Sequence, residues 1–176
     1  MRKVMSVSAC VMGLLLLALA GITPRPAPLA AVSTFERRCS ACHGKQGALF
    51  EKEFEKKYKT RRELTEMVES MPGAIGMDGD SLEVMVAYMR AISRQEPFLV
   101  WTKQTQQTLE GEFAPDGARI VARAGRTELR VETPQAYRWR VVLPDKVKLS
   151  DVEFTVRYRS NAIRLKLRDS SYTHTR

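Results

Sequence analysis

The chain of 176 residues carries 29 Lys and Arg against 20 Asp and Glu, a formal net charge of +9, with three cysteines and two histidines. That length allows one ordinary domain or two small ones, and three cysteines are too few for a scaffold stapled by disulfides. The basic balance favours anionic partners, acidic proteins among them, without identifying one.

At the start, Arg2 and Lys3 precede an apolar run from Val11 to Ala20 that closes on Ala18-Leu19-Ala20, a small-x-small cleavage signature. This predicts a signal peptide over residues 1–20, taking Cys10 with it, and places the folded part in the periplasm or otherwise outside the cytoplasm. The alternative is an uncleaved membrane anchor reaching Ile22, since Val4 to Ile22 is just long enough to span a bilayer. Export sets nucleic acid aside as a partner. Pro24, Pro26 and Pro28 make residues 21–32 a stiff, extended linker.

From Ser33 to Arg94 the apolar residues follow helical spacing. Ser33 with Glu36 reads as a capping box, and the helix it opens runs to Gly44. Phe50, Phe54 and Tyr58 recur every four residues and suggest a weaker helix. Thr60 with Glu63 opens another, with Leu64, Met67, Val68 and Met71 on one face until Pro72 stops it. Asp80 with Glu83 opens the last, whose buried stripe is Leu82, Met85, Val86, Met89 and Ile92 beside Tyr88.

A unit of roughly 60 residues is near the lower limit for a self-sufficient apolar core, so it needs a staple. Cys39, Cys42 and His43 supply one. Two thiols three residues apart on a helix are spaced to form thioethers with the two vinyl groups of a haem, and the adjoining imidazole can turn onto its iron. A thioredoxin-like dithiol would want a preceding strand, and a zinc site two further ligands.

Phe35, Cys39, Cys42, His43, Gly44 and Gly47 form an FxxxCxxCHGxxG start, followed by Met71-Pro72 and a last helix with Val86-Ala87-Tyr88. Residues 33–94 thereby resemble a small class I cytochrome c domain. The resemblance implies one covalently attached haem c on Cys39 and Cys42, with His43 as one iron ligand. It also implies crossing first and last helices, with Phe35 against Tyr88. For the sixth ligand it favours Met71, with Met77 in the following Gly-rich loop as the alternative; Met67, Met85 and Met89 fall on apolar stripes and read as core. A His/Met haem has no vacant position for substrate, so the implied activity is electron transfer and not bond-making. The short interval from His43 to Met71 keeps open a five-coordinate haem enzyme or gas sensor. Lys52, Lys56, Lys57, Lys59, Arg61 and Arg62 read as a solvated face, or as a dock for an acidic redox partner.

Residues 95–107 read as a linker, and from 108 to 176 the pattern alternates. Tyr137, Trp139 and Val141, then Val152, Phe154, Val156 and Tyr158, then Ile163, Leu165 and Leu167 each take every second position. With Leu109 to Phe113, Arg119 to Ala122 and Leu129 to Val131, this predicts five or six antiparallel strands with one buried and one charged face. Turn signals fall at Pro115-Asp116-Gly117, Pro144-Asp145 and Ser160-Asn161. The stretch SDVEFTVRYRS with IRLKLRD weakly resembles concanavalin-like or laminin-G sandwiches, which implies a small and incomplete sandwich with an envelope or glycan partner. Trp101 and Tyr172 are its candidates for stacking on sugar, with Trp139 a third that reads better as core, and His174 is an improbable iron ligand. The expected class is therefore α+β: an all-α cytochrome c-like part, then an antiparallel β module for docking. In the third reading, the haem is a structural staple for an envelope-binding protein.

Overall fold

The computed structural model describes residues 24–174, so the leader or anchor expected over residues 1–22 lies outside the described part. Among the described residues no helix is long and apolar enough to cross a membrane. The fold is α+β: four helices are followed by two antiparallel sheets of four strands each. The helices are α1 (Ala31–Arg38), α2 (Ser40–His43), α3 (Arg61–Glu69) and α4 (Gly79–Ser93). The strands are β1 (Phe98–Gln104), β2 (Thr108–Ala114), β3 (Arg119–Ala124), β4 (Thr127–Leu129), β5 (Val131–Gln135), β6 (Arg138–Val142), β7 (Val152–Tyr158) and β8 (Asn161–Lys166). The inner sheet has the order β1-β2-β6-β5 and the outer sheet β4-β3-β7-β8.

The two sheets bury their facing sides against each other. Leu99, Trp101, Leu109, Trp139 and Val141 of the inner sheet meet Phe154, Val156 and Leu165 of the outer one, with the Trp139 and Phe154 rings 4.7 Å apart. The alternation read in the sequence is this packing. Strand β1 departs from it and occupies most of the stretch 95–107 expected to be a linker. Phe98 and Val100 point away from the sandwich and join the helical core, while Leu99 and Trp101 point into it. Burial on both sides removes the alternation, leaving a continuous apolar run, FLVW. Trp101 is accordingly 1% exposed, and so is Trp139, so neither ring is available to stack on a sugar.

The outer edge of β1 is also occupied. Trp101 N donates to Ser171 O (2.8 Å), Thr173 N to Leu99 O (2.9 Å), and Ala27 N to Trp101 O (2.7 Å). Covering an edge in this way removes its unpaired backbone groups.

Helix starts differ from the sequence reading in an instructive way. Thr60 Oγ1 accepts from Glu63 N at 3.1 Å, as its box predicts. By contrast α1 starts at Ala31, with no side-chain cap, and Ser33 lies inside the first turn. Ser33 N donates to Glu112 Oε2 (3.1 Å), a fully buried carboxylate from β2 that also lies 3.4 Å from Arg138 Nη2. A distant anion thus takes the place of a local cap at the positive end of the helix. Helix α4 starts from Asp78, whose Oδ1 accepts from Ser81 N (2.8 Å), two residues before the box that the sequence offered. The Phe50-Phe54-Tyr58 row forms no α-helix. Glu53 takes a left-handed φ of 56°, and only a 3-10 turn, Phe54–Lys57, follows.

Gly111 on β2 is where the inner sheet is tightest. Trp139 Nε1 donates to Val100 O (3.2 Å) and Glu112 O (3.1 Å), laying the indole over the β1–β2 ladder. A Cβ at Gly111 would sit 1.9 Å from Val100 O and 2.6 Å from the indole. Gly111→Ala is therefore expected to destabilise the protein by about 3 kcal/mol or fail to fold, measured by urea denaturation, whereas Gly125→Ala at an open turn should cost about 1 kcal/mol.

Candidate functional site

The Cys39-Cys42-His43 cluster sits on a break in the first helical segment. Cys39 has φ −121° and ψ −29°, which ends α1, and α2 restarts at once with His43 N donating to Cys39 O at 3.1 Å. Both thiols are free; Cys39 is half-buried and Cys42 exposed. Burial pushes the Cys39 thiol up, against an opposing pull from the Arg38 cation. A thiol held protonated in this way is a poor redox nucleophile. The segment before it is a helix and not the strand that a thioredoxin-like site would want.

Aromatic rings hold this cluster in place. Phe35, fully buried on α1, meets Tyr88 of α4 edge-on at 5.5 Å and 79°, and the Phe50 ring at 5.8 Å. Phe50 lies 4.6 Å from the His43 imidazole and 4.6 Å from Phe54. The turn after His43 requires Gly47, which adopts φ +69° and where a Cβ would come within 2.4 Å of Phe50 and 2.7 Å of Ile92. Tyr88 is buried with its hydroxyl unpartnered, and burial raises its pKa far above the usual tyrosine range.

Across from the cluster, Met71 caps a 3-10 turn, Pro72–Ala74, and leads into the loop that carries Met77. The Met71-Pro72-Gly73 turn lies against Cys39: a Cβ at Gly73 would fall 2.8 Å from Cys39 Sγ and 3.1 Å from Arg38 O. Arg38 also donates to Ile75 O, tying the two segments together. Cys39, His43, Met71 and Met77 consequently converge on one small apolar cavity of about 10 Å³, the room of a single water, closed by Val68, Gly73, Ala74, Met85 and Met89. Cys42 is not among the lining residues, and both candidate methionines are. Met85 and Met89 are 1% exposed on the apolar stripe of α4. His174 is elsewhere, with Nε2 3.1 Å from Ser170 Oγ beside the β1 edge. Among the described residues no group of three or more His, Cys, Asp or Glu gathers as metal ligands, so the donors at hand are one imidazole and thioethers beside two thiols. That set suits a haem iron and its attachment, and the walls are apolar.

The sequence reading missed what anchors the motif loop. Gln46, at φ 51°, donates its backbone N–H to Glu36 Oε1 (2.7 Å) and its side-chain amide to Tyr137 Oη (3.2 Å), and accepts from Asp116 N (3.1 Å) through Oε1. Tyr137 and Asp116 belong to the β module, so the loop after His43 is tied to it directly. A cleft of about 410 Å³ opens there, between Gln46, Phe50 and Ile92 on one side and Pro115, Tyr158 and Arg159 on the other. No local signal marks Gln46; its partners are distant in sequence.

The basic run is largely neutralised by its own neighbours. Lys56 pairs with Glu53 (2.8 Å), Lys57 with Glu51, Arg62 with Glu66 (2.7 Å) and Arg61 with Glu83 (3.7 Å). Exposed pairs of this kind contribute about 0–1 kcal/mol each and leave little net field. Glu55 differs, being buried and paired with Arg94 at 2.6 Å, with Ser93 donating its hydroxyl to the same carboxylate. It pins the turn carrying Phe54 to the end of α4.

No protein family, curated protein or solved structure matches the chain.

Burial alone would push the Glu55 carboxyl up, but the Ser93 hydroxyl and the Arg94 guanidinium hold it below its ordinary 4.5. Its stabilisation is thus fully present above pH 4.5 and is lost as pH falls through the lower folded-state value. Glu55→Gln should lower stability at pH 7 and flatten the decline below pH 4.5, followed by denaturant midpoints from pH 7 to pH 3.

Proposed function

We propose that this chain is an exported, single-haem c-type cytochrome that relays electrons to and from partner proteins. The observation that supports the reading is a convergence: residues from the CxxCH segment and from the Met-Pro loop, distant in sequence, meet at one apolar spot, whose walls would part to admit the haem. When bound, the haem supplies a one-electron iron couple.

The chain's own residues divide the work. Cys39 and Cys42 hold the group covalently. His43 is the iron ligand from the motif, and Phe50 against its imidazole limits the ring's rotation. Met71 is the proposed second ligand and Met77 its alternative; a thioether there favours the reduced state relative to a second histidine. Val68, Ala74, Met85 and Met89 wall off water, and the low polarity of that wall acts in the same direction. The redox partner is a protein, acidic where it meets the basic chain, and the β module is the part that docks. The export reading rests on the leader signature of residues 1–20.

The test is expression of residues 23–176 with a haem-attachment system. Covalent haem is expected in the wild type and lost in Cys39→Ser with Cys42→Ser; colourless wild-type protein would overturn the proposal. Ferrous wild type should not bind CO, whereas Met71→Ala should bind it readily and lose the thioether-to-iron absorption band. Ready CO binding by wild type, with peroxidase turnover unchanged in Met71→Ala, would instead favour the five-coordinate reading. Loss of the band in Met77→Ala alone would move the ligand to Met77.

A further inference from the structure

The outer face of the outer sheet carries a depression of about 500 Å³ that the haem reading does not use. Its charges are arranged in rows set by strand register. In one row Glu128, Arg123, Glu153 and Lys166 follow one another across β4, β3, β7 and β8. Opposite charges alternate there, with Arg123 Nη2 3.5 Å from Glu128 and Lys166 Nζ 4.0 Å from Glu153. Four residues along the strands the pattern breaks: Arg119 stands directly opposite Arg157. Both are exposed, and among the described residues neither has a carboxylate within ion-pair distance. Between these rows lie Val121, Thr155 and Arg164, the last leaning 3.7 Å from Glu153.

Like charges directly opposite on one sheet face are destabilising, and nothing in the fold requires this pair, since their side chains point away from the core. An oxyanion between them would remove the repulsion and receive two guanidinium forks, a geometry suited to carboxylate or sulfate. The rest of the depression limits what that anion belongs to. Glu128, Asp151 and Glu153 line its other end. A ligand with repeated negative charges, such as an acidic peptide or a polysulfate, would be repelled there. A ligand with one carboxylate and several hydroxyls would donate hydrogen bonds to Thr155 in the row between and to Glu153, the acid that leans toward that row. We infer that this depression binds an acidic sugar unit of the uronic-acid type, its carboxylate between Arg119 and Arg157 and its hydroxyls toward Thr155 and the Glu153 carboxylate that leans to Arg164 beside it. The volume falls within the ordinary range for small-ligand sites, about 300–1,000 Å³. The inference stands apart from the haem reading: it uses neither the helices nor the cavity they form.

Isothermal titration of the purified protein with glucuronate tests it, alongside glucose, inorganic sulfate and tetraglutamate. Glucuronate is expected to bind, with glucose weaker by about tenfold or more, and Arg119→Gln or Arg157→Gln each weakening glucuronate by about tenfold. Sulfate or tetraglutamate binding as tightly as glucuronate would overturn the inference by reducing the site to an undiscriminating anion patch. No glucuronate binding by wild type, or binding unaltered in both variants, would overturn it equally. Without ligand, Arg119→Gln should raise the melting temperature by about 1–2 °C as the like-charge pair is relieved; a lowered one would remove the premise.

Discussion

Strand β1 is apolar on both faces, and the arrangement of everything else follows from that. A helical segment of roughly 60 residues has too little apolar surface to hold itself together with much margin. Here it borrows a floor from the sheet, namely Phe98, Val100 and Ala114. Each fully buried side chain of the size of Phe98 or Val100 contributes about 1.5–3 kcal/mol. Two of them approach the few kcal/mol that a core of this size supplies alone. The β strands are therefore part of what lets the helices exist as a packed unit.

The same wall carries polar chemistry to the cluster. Glu112, on the helix-facing side of β2, meets the first turn of α1 through Ser33 N. Tyr137 and Asp116 reach the loop after His43 through Gln46. One end of the Cys-bearing segment and its following loop are thus fixed by residues from the inner sheet and its connections. His43 is set by three agencies: the backbone restart at Cys39, the Phe50 ring beside it, and the anchored loop behind it.

What was legible in the sequence divides by the range of the forces involved. Periodicity reported α3 and the strands β6, β7 and β8, because each has one wetter and one dry face, and it also reported α4 and β2, which the fold buries on more than one side. It passed over β1, where two dry faces leave no alternation, and β5, whose run VETPQ is mostly exposed and breaks for Pro134. The Thr60 cap was legible since donor and acceptor are three residues apart, while the α1 cap was not, since its acceptor is Glu112, 79 residues away. At the candidate site, the CxxCH spacing and the Met-Pro pair stood out as local patterns. That Gly73 comes against Cys39, and that Gln46 reaches Tyr137, depends on tertiary placement that no local pattern encodes.

Strand β1 assigns its side chains alternately to two cores: Phe98 and Val100 to one, Leu99 and Trp101 to the other. Neither half of the molecule can open without hydrating residues whose neighbours in the chain are packed in the other half. The two halves are thereby coupled in the manner of a single cooperative unit, and the amides of β1 belong with the slowest to exchange with solvent. Loosening around the cysteines should consequently be felt in the far sheet, through a strand that touches neither thiol.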